Sequence, residues 1–288
     1  MADIDDIVAL PIWQGRPELE PLAGGLSNSS FVATDGAGRY VVRITRDFPF
    51  HHVWREREVM SARAAHAAGF GPAIVHAEPG LMVSRFIEGK VLAAEDVKRD
   101  IPRVASLLRR FHTEMPAALS GPVGLFWVAH VNRDYLRQLR ESGGASAAEL
   151  QRWLAVNAEL EAAQQPMPLV VGHHDLLPAN LIDDGRRLWL IDYEYVGHGT
   201  AMFDLGNLSS NAGFDAAQSA ALLDEYFGGA TQGHRRAHQA MEAASLLREA
   251  LWSLVSLQHL TVPGADYAGY ARDNFGRLEL ALAALRAG

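Results

Sequence analysis

The rhythm of apolar and polar positions changes about a third of the way along the chain. Up to about residue 85, apolar residues come in short β-branched or aromatic runs broken by glycine-containing turns, which is the pattern of strands. Leu22 to Thr34 reads as a strand, a glycine-containing loop and a second strand. Asp35-Gly36-Ala37-Gly38 is a turn, and Arg39-Tyr40-Val41-Val42-Arg43-Ile44 is a third strand. A helix is expected from about 53 to 68, ended by Gly69 with Pro72 beyond it. The runs 73–77 and 81–85 make a hairpin across Glu78-Pro79-Gly80. From Ala94 onward the period lengthens, and helices are expected at 96–113, 130–141, 146–163, 215–228, 234–259 and 266–286. Embedded among them, the strand Leu169-Val170-Val171 leads into Gly172-His173-His174-Asp175. A hairpin follows, Leu181-Ile182 to Arg187-Leu188-Trp189-Leu190-Ile191 across Asp183-Asp184-Gly185, and it ends in Asp192-Tyr193-Glu194.

A chain of 288 residues suffices for one large domain or two lobes. Its 49% hydrophobic and 21% charged content is that of a globular protein. Zero cysteines exclude disulfides, thiol nucleophiles and Cys-ligated zinc, and fit a reducing compartment. A net charge of −8, with Lys90 and Lys98 as the only lysines, argues against nucleic acid as a partner and favours a cationic small substrate. The N-terminus, Met1-Ala2-Asp3-Ile4-Asp5-Asp6, is acidic where a secretory signal is basic, and no apolar run approaches the ~20 residues that span a bilayer. A cytoplasmic protein without membrane insertion is expected.

The candidate chemistry lies in the 170–207 stretch. His173-x-Asp175, with Asn180 five residues further on and Asp192 at the end of the returning strand, has the spacing of a kinase catalytic loop and its metal-binding Asp. In that arrangement Asp175 accepts the proton of an attacking hydroxyl, while Asn180 and Asp192 hold Mg²⁺ against nucleotide phosphates. His173 reads as a loop-shaping residue rather than a base. The segment Gly24-Gly25-Leu26-Ser27-Asn28-Ser29-Ser30 lies between two strands, where glycines allow close backbone approach and N–H and Ser hydroxyl groups bind phosphate. It is neither a full Gly-x-Gly-x-x-Gly nor a Walker A loop. His234 and His238 have helical spacing but no third ligand and are read as surface residues.

Together these motifs resemble the aminoglycoside-phosphotransferase and choline-kinase superfamily, with the closer likeness to choline/ethanolamine kinases. The resemblance rests on Gly172-His173-His174-Asp175 with Asn180, and on Ile191-Asp192-Tyr193-Glu194-Tyr195 leading to Phe203-Asp204-Leu205-Gly206-Asn207. Weaker echoes lie at 23–28, 41–44 and 266–271. It implies an α+β, bilobal, protein-kinase-like fold: a small β-rich nucleotide-binding lobe over 1–84, a hinge over 85–89, and a larger mainly helical lobe over 90–288 with the catalytic loop and acceptor site. It also implies ATP and Mg²⁺ as cofactors.

Within that resemblance, Gly24, Gly25, Ser27, Asn28 and Ser29 cradle phosphate, and Arg43 stands where protein kinases carry a Lys. Arg forks onto phosphate or carboxylate oxygens, so it fills the role with different geometry. Glu58 is its expected partner, within Arg55-x-x-Glu58; an exposed Arg55–Glu58 helix pair is the competing reading. Ser84 to Gly89 is the hinge, and Asp204 braces the catalytic loop. Glu194, Asn211, Trp252 and Tyr270 are the acceptor candidates, with Glu194 offered to a substrate ammonium and Trp252 to a cation–π contact. Choline kinases place a pair of Trp on the corresponding helix; here the second is missing. The implied reaction is ATP-dependent phosphorylation of a small amino alcohol, choline or ethanolamine foremost. An aminoglycoside-type or other small-alcohol phosphotransferase and a nucleotide-binding pseudokinase module are the alternatives.

Overall fold

A computed structural model describes residues 4–22, 29–262 and 264–287. Gly24, Gly25, Ser27 and Asn28 lie outside the described residues, as does the side chain of Ser29. The N-terminal region is an antiparallel sheet of β1 (Glu18–Pro21), β2 (Ser29–Asp35), β3 (Gly38–Ile44), β4 (Ile74–Glu78) and β5 (Leu81–Arg85), in the order β1-β2-β3-β5-β4. Alternation along β3 turns Tyr40 and Val42 inward, where they pack with Ala33, Leu81, Val83 and Ile7 of helix α1 (Ile4–Val8). The outward face of the same strand carries Arg43. Helix α2 (Arg55–Ala67) follows β3 and precedes β4.

The rest is mainly helical. After β6 (Lys90–Val91) come α3 (Ala94–Arg99), α4 (Ile101–Ala118), α5 (Val128–Ser142) and α6 (Ala147–Ala162). Then follow β7 (Leu169–Gly172), β8 (Leu181–Asp183), β9 (Leu188–Leu190), β10 (Gly197–Thr200), α7 (Ala201–Ala212), α8 (Ala216–Phe227), α9 (Gln232–His259) and α10 (Tyr267–Ala287). β7 pairs with β10, and β8 pairs with β6 and β9, so two small sheets carry the catalytic segment across the helices. One large core joins α2, α4, α5 and α7–α10. The sheet-forming first region and helical second region match the expected α+β architecture, and the five-stranded sheet ends at Arg85, where the hinge was placed.

Two expectations about the helices need correction. The helix expected over 96–113 is broken at Asp100 (φ −128°, ψ 50°), because Pro102 starts a new helix where its missing N–H has no intrahelical partner to lose. Helix α7 was not anticipated. All but one of its twelve residues are buried, and its polar positions Asp204, Asn207 and Asn211 face the catalytic loop instead of solvent, so no charged, exposed face marks it as a helix.

Candidate active site

The catalytic loop is shaped by two buried histidines and held by α7. His174 takes a left-handed backbone (φ 62°), an uncommon choice for a residue other than glycine. Its ring stacks on Phe126 at 4.4 Å, and its Nδ1 donates to the Tyr195 carbonyl at 3.0 Å. A Cβ on either Gly172 or Gly199 would fall 2.4 Å from His174 Nε2, so these two glycines make room for the ring. His173 Nε2 donates to the Ile191 carbonyl at 3.0 Å, tying the loop to the strand that bears Asp192. Burial depresses both imidazoles, His174 to about 4, so they are neutral struts.

Asp204 of α7, wholly buried, accepts the backbone N–H groups of His173 (2.7 Å) and His174 (2.8 Å) and also pairs with His112 at 2.8 Å. Burial works to raise this carboxyl, but the surrounding imidazoles and hydrogen bonds hold it well below the usual range. Asn207, one turn further on, accepts the Leu176 N–H at 2.6 Å. The bracing role assigned to Asp204 is thus shared by Asn207.

Asp175, Asn180 and Asp192 meet at the junction of the two regions. Asn180 Nδ2 donates to the Asp175 carbonyl at 2.8 Å and to its carboxylate at 3.3 Å, and the Asn180 carbonyl accepts the Ile191 N–H. Asp192 is left-handed (φ 67°), which turns it out of the strand line. Arg43 reaches down to it from β3, at 3.3 Å, while its Nη1 binds Glu58 at 2.7 Å. Glu58 also receives Arg55 at 2.5 Å, and Arg55 continues to Glu194 at 2.8 Å. Both readings of Glu58 therefore hold at once, but the Arg55–Glu58 pair is buried rather than exposed: the Glu58 side chain is 1% accessible.

Burial pushes Asp175 up to about 7 and Glu194 up to about 8, and the Asp192 charge adds to both. Such crowding of carboxylates suits a cation. Among the described residues no cluster of three His, Cys, Asp or Glu stands ready for a metal. A donor set of Asp192 and the Asn180 amide nevertheless fits Mg²⁺, a hard ion that keeps several waters and needs few protein oxygens.

Beyond Asp175 lies a second set of groups that the motifs did not single out. Arg248 of α9, 2% exposed, places Nη1 3.5 Å from Asp175 and 2.6 Å from Glu249. Its guanidinium lies over the Tyr195 ring, 4.4 Å from the centroid. Tyr270 donates its hydroxyl to Glu249 at 3.0 Å. The available signal was this adjacent Arg-Glu pair inside the apolar middle of a long helix.

The predicted acceptor residues divide. Tyr270 joins this cluster, and Asn211 touches the loop at the Leu176 carbonyl (3.4 Å). Trp252 stacks on His51 (4.9 Å) and meets the edge of Tyr267. Glu194 is engaged by Arg55, which also binds Glu58. His238, read from sequence as a surface residue, is buried and bonded to Ser209 at 2.9 Å, because α9 is covered by α7 at that point.

A strand sheet set over a helical region, with Asp, Asn and Asp gathered at the join and an Arg–Glu pair above them, defines a kinase-type phosphotransferase. The chain belongs to the phosphotransferase enzyme family, whose model matches residues 18–241. It is 31% identical to a choline/ethanolamine kinase family protein from Mesorhizobium loti, over 99% of this chain and 98% of that one, with a TM-score of 0.75. It is 21% identical to the choline kinase LicA from Streptococcus pneumoniae, over 93% of each chain, with a TM-score of 0.77. A probable ethanolamine kinase of Arabidopsis thaliana is 25% identical over 70% of this chain and 58% of its own length. Among the described residues no helix is long and apolar enough to cross a membrane.

Proposed function

We propose that the protein transfers the γ-phosphoryl group of ATP, with Mg²⁺, to the hydroxyl of a small amino alcohol. The observation that carries this reading is the convergence of Asp175, Asn180 and Asp192 with Arg43. The acceptor class is suggested by the relatives described as choline or ethanolamine kinases.

In this mechanism the acceptor hydroxyl sits against the Asp175 carboxylate. Its oxygen forms the new bond to phosphorus, the bond to the bridging oxygen of ADP breaks, and the hydroxyl proton passes to Asp175. Asn180 and Asp192 would hold the metal, which when bound neutralises phosphate charge. Arg43, released from Asp192, forks onto phosphate oxygens while Glu58 keeps it aimed. Arg248 keeps a positive charge beside the base and opposes its burial. Most of the rate then comes from positioning and fixed charges.

ADP release measured against a panel of amines, amino alcohols, aminoglycosides and neutral alcohols, with and without Mg²⁺, tests the proposal. Mg²⁺-dependent turnover with a small amino alcohol is expected. Nucleotide binding with no turnover on any acceptor would point instead to a binding module.

A further inference from the structure

The groups beyond Asp175 form one connected set around Glu249. Glu249 is buried, 6% exposed, and sits one helical turn before Trp252 on α9. One of its oxygens receives Arg248 Nη1 and the other the Tyr270 hydroxyl. A carboxylate has about four lone-pair sites, so each oxygen keeps one free. Through Arg248 this carboxylate is linked to Asp175, where the acceptor hydroxyl must lie. Asp175 and Glu249 thus flank a single guanidinium, that of Arg248.

Two of the aromatic rings nearby are already engaged. The buried Tyr195 ring, 6% exposed, lies under the guanidinium of Arg248, so the protein's own cation fills that cation–π position. Trp252 is stacked on His51 with the rings only 21° from parallel, and Tyr267 meets it at 63°. A quaternary ammonium has no N–H and depends on such faces, whereas a primary ammonium brings three donors to a carboxylate.

We propose that Glu249, supported by Tyr270 and Arg248, selects an acceptor whose ammonium carries N–H groups over one that is quaternary. This rests on the kinase reading above and names the residue that decides its acceptor. Glu249 takes two N–H bonds on its free lone pairs. Arg248 holds one oxygen of the carboxylate and Tyr270 the other, which fixes the rotation of its plane. Glu194 is already held by Arg55.

The test compares ethanolamine with choline, which present the same hydroxyl on the same two-carbon chain, at saturating Mg²⁺-ATP. The wild type is expected to favour ethanolamine at least tenfold in kcat/KM, mainly through KM. Glu249→Gln should lose roughly thirtyfold on ethanolamine and less than threefold on choline, so that the preference collapses. Tyr270→Phe, which removes only the hydroxyl, should lose about fivefold on ethanolamine alone. An unchanged KM for ATP and melting temperature identify variants that have kept the fold. If Glu249→Gln does not fold, the wild-type ratio and Tyr270→Phe decide. Equal use of both amines by the wild type, or a ratio untouched by the variants, overturns the assignment of Glu249 while leaving the kinase intact. Turnover of neither amine removes the amino-alcohol reading itself, and the assignment falls with it.

Discussion

Arg43 of the sheet region and Asp192 of the helical region lie 3.3 Å apart, so a single guanidinium bridges the two halves of the molecule at the point where nucleotide phosphate would enter. The same Arg43 is held from behind by Glu58, itself buried and shared with Arg55. The arrangement keeps Arg43 ready without leaving any of these charges unpaired.

Arg43→Ala should raise the KM for Mg²⁺-ATP at least tenfold and lower kcat as well, because the lost contact is with phosphate in both ground and transition states. Arg43→Lys should recover part of the loss, keeping the charge but not the fork. Glu58→Gln should cost about 3 kcal/mol of stability, since two buried arginines lose a charged partner. Steady-state kinetics with varied ATP and urea unfolding of the three variants check these outcomes. A Glu58→Gln protein as stable as wild type would contradict the account of the pair.

Asp204→Asn should loosen the catalytic loop without touching any reacting atom. The carboxylate now accepts two loop N–H groups and His112, and the amide cannot keep all three. A loss of about 3 kcal/mol is expected, with a fall in kcat of a hundredfold or more. Hydrogen exchange at the amides of His173 and His174 reads the effect directly. Amides as protected as in the wild type would show that the loop is held by something else.

The catalytic spacing was legible because Asp175, Asn180 and Asp192 fall in one continuous segment, with an Asp-Gly turn to fold it back. Arg43 and Glu58 were legible for a related reason: each lies on an element of clear period. Helix α7 was hidden, since its polar positions Asp204, Asn207 and Asn211 face the loop and no charged face turns to solvent, and the loop contacts of Asn207 went with it. The role of Arg248 and Glu249 was also hidden. Side chains 73 positions apart, Asp175 and Arg248, meet through the packing of α9, which no local pattern records. Glu194 was offered to a substrate ammonium, but Arg55, arriving from α2, claims it. His238 was misread because its cover comes from α7, the element that was missed.

Acid should weaken the fold at His238. Burial lowers its folded-state value to about 4, against 6.5 for the ordinary imidazole. As pH falls below 6.5 the unfolded chain therefore takes up the proton first, and the folded chain follows only near 4. The contribution of this residue is full above 6.5 and falls by about 1.4 kcal/mol for each pH unit down to 4. Asp175, Glu194 and Glu242, whose carboxyls burial raises, act in the opposite sense, so the effect is read as a difference. Relative to His238→Gln, the wild type should be about 1.4 kcal/mol less stable at pH 5.5 than at pH 7.5 by urea unfolding. A difference independent of pH would contradict the assignment.

The central claim is that Asp175 takes the acceptor proton, and Asp175→Asn tests it most directly. Single-turnover transfer of label from γ-phosphate-labelled ATP to ethanolamine, with nucleotide affinity measured on the same preparation, separates chemistry from binding. The account predicts that transfer falls by a hundredfold or more while Mg²⁺-nucleotide affinity stays within about threefold of wild type, because a general base acts in the transition state. Transfer at near wild-type rate in Asp175→Asn would contradict it.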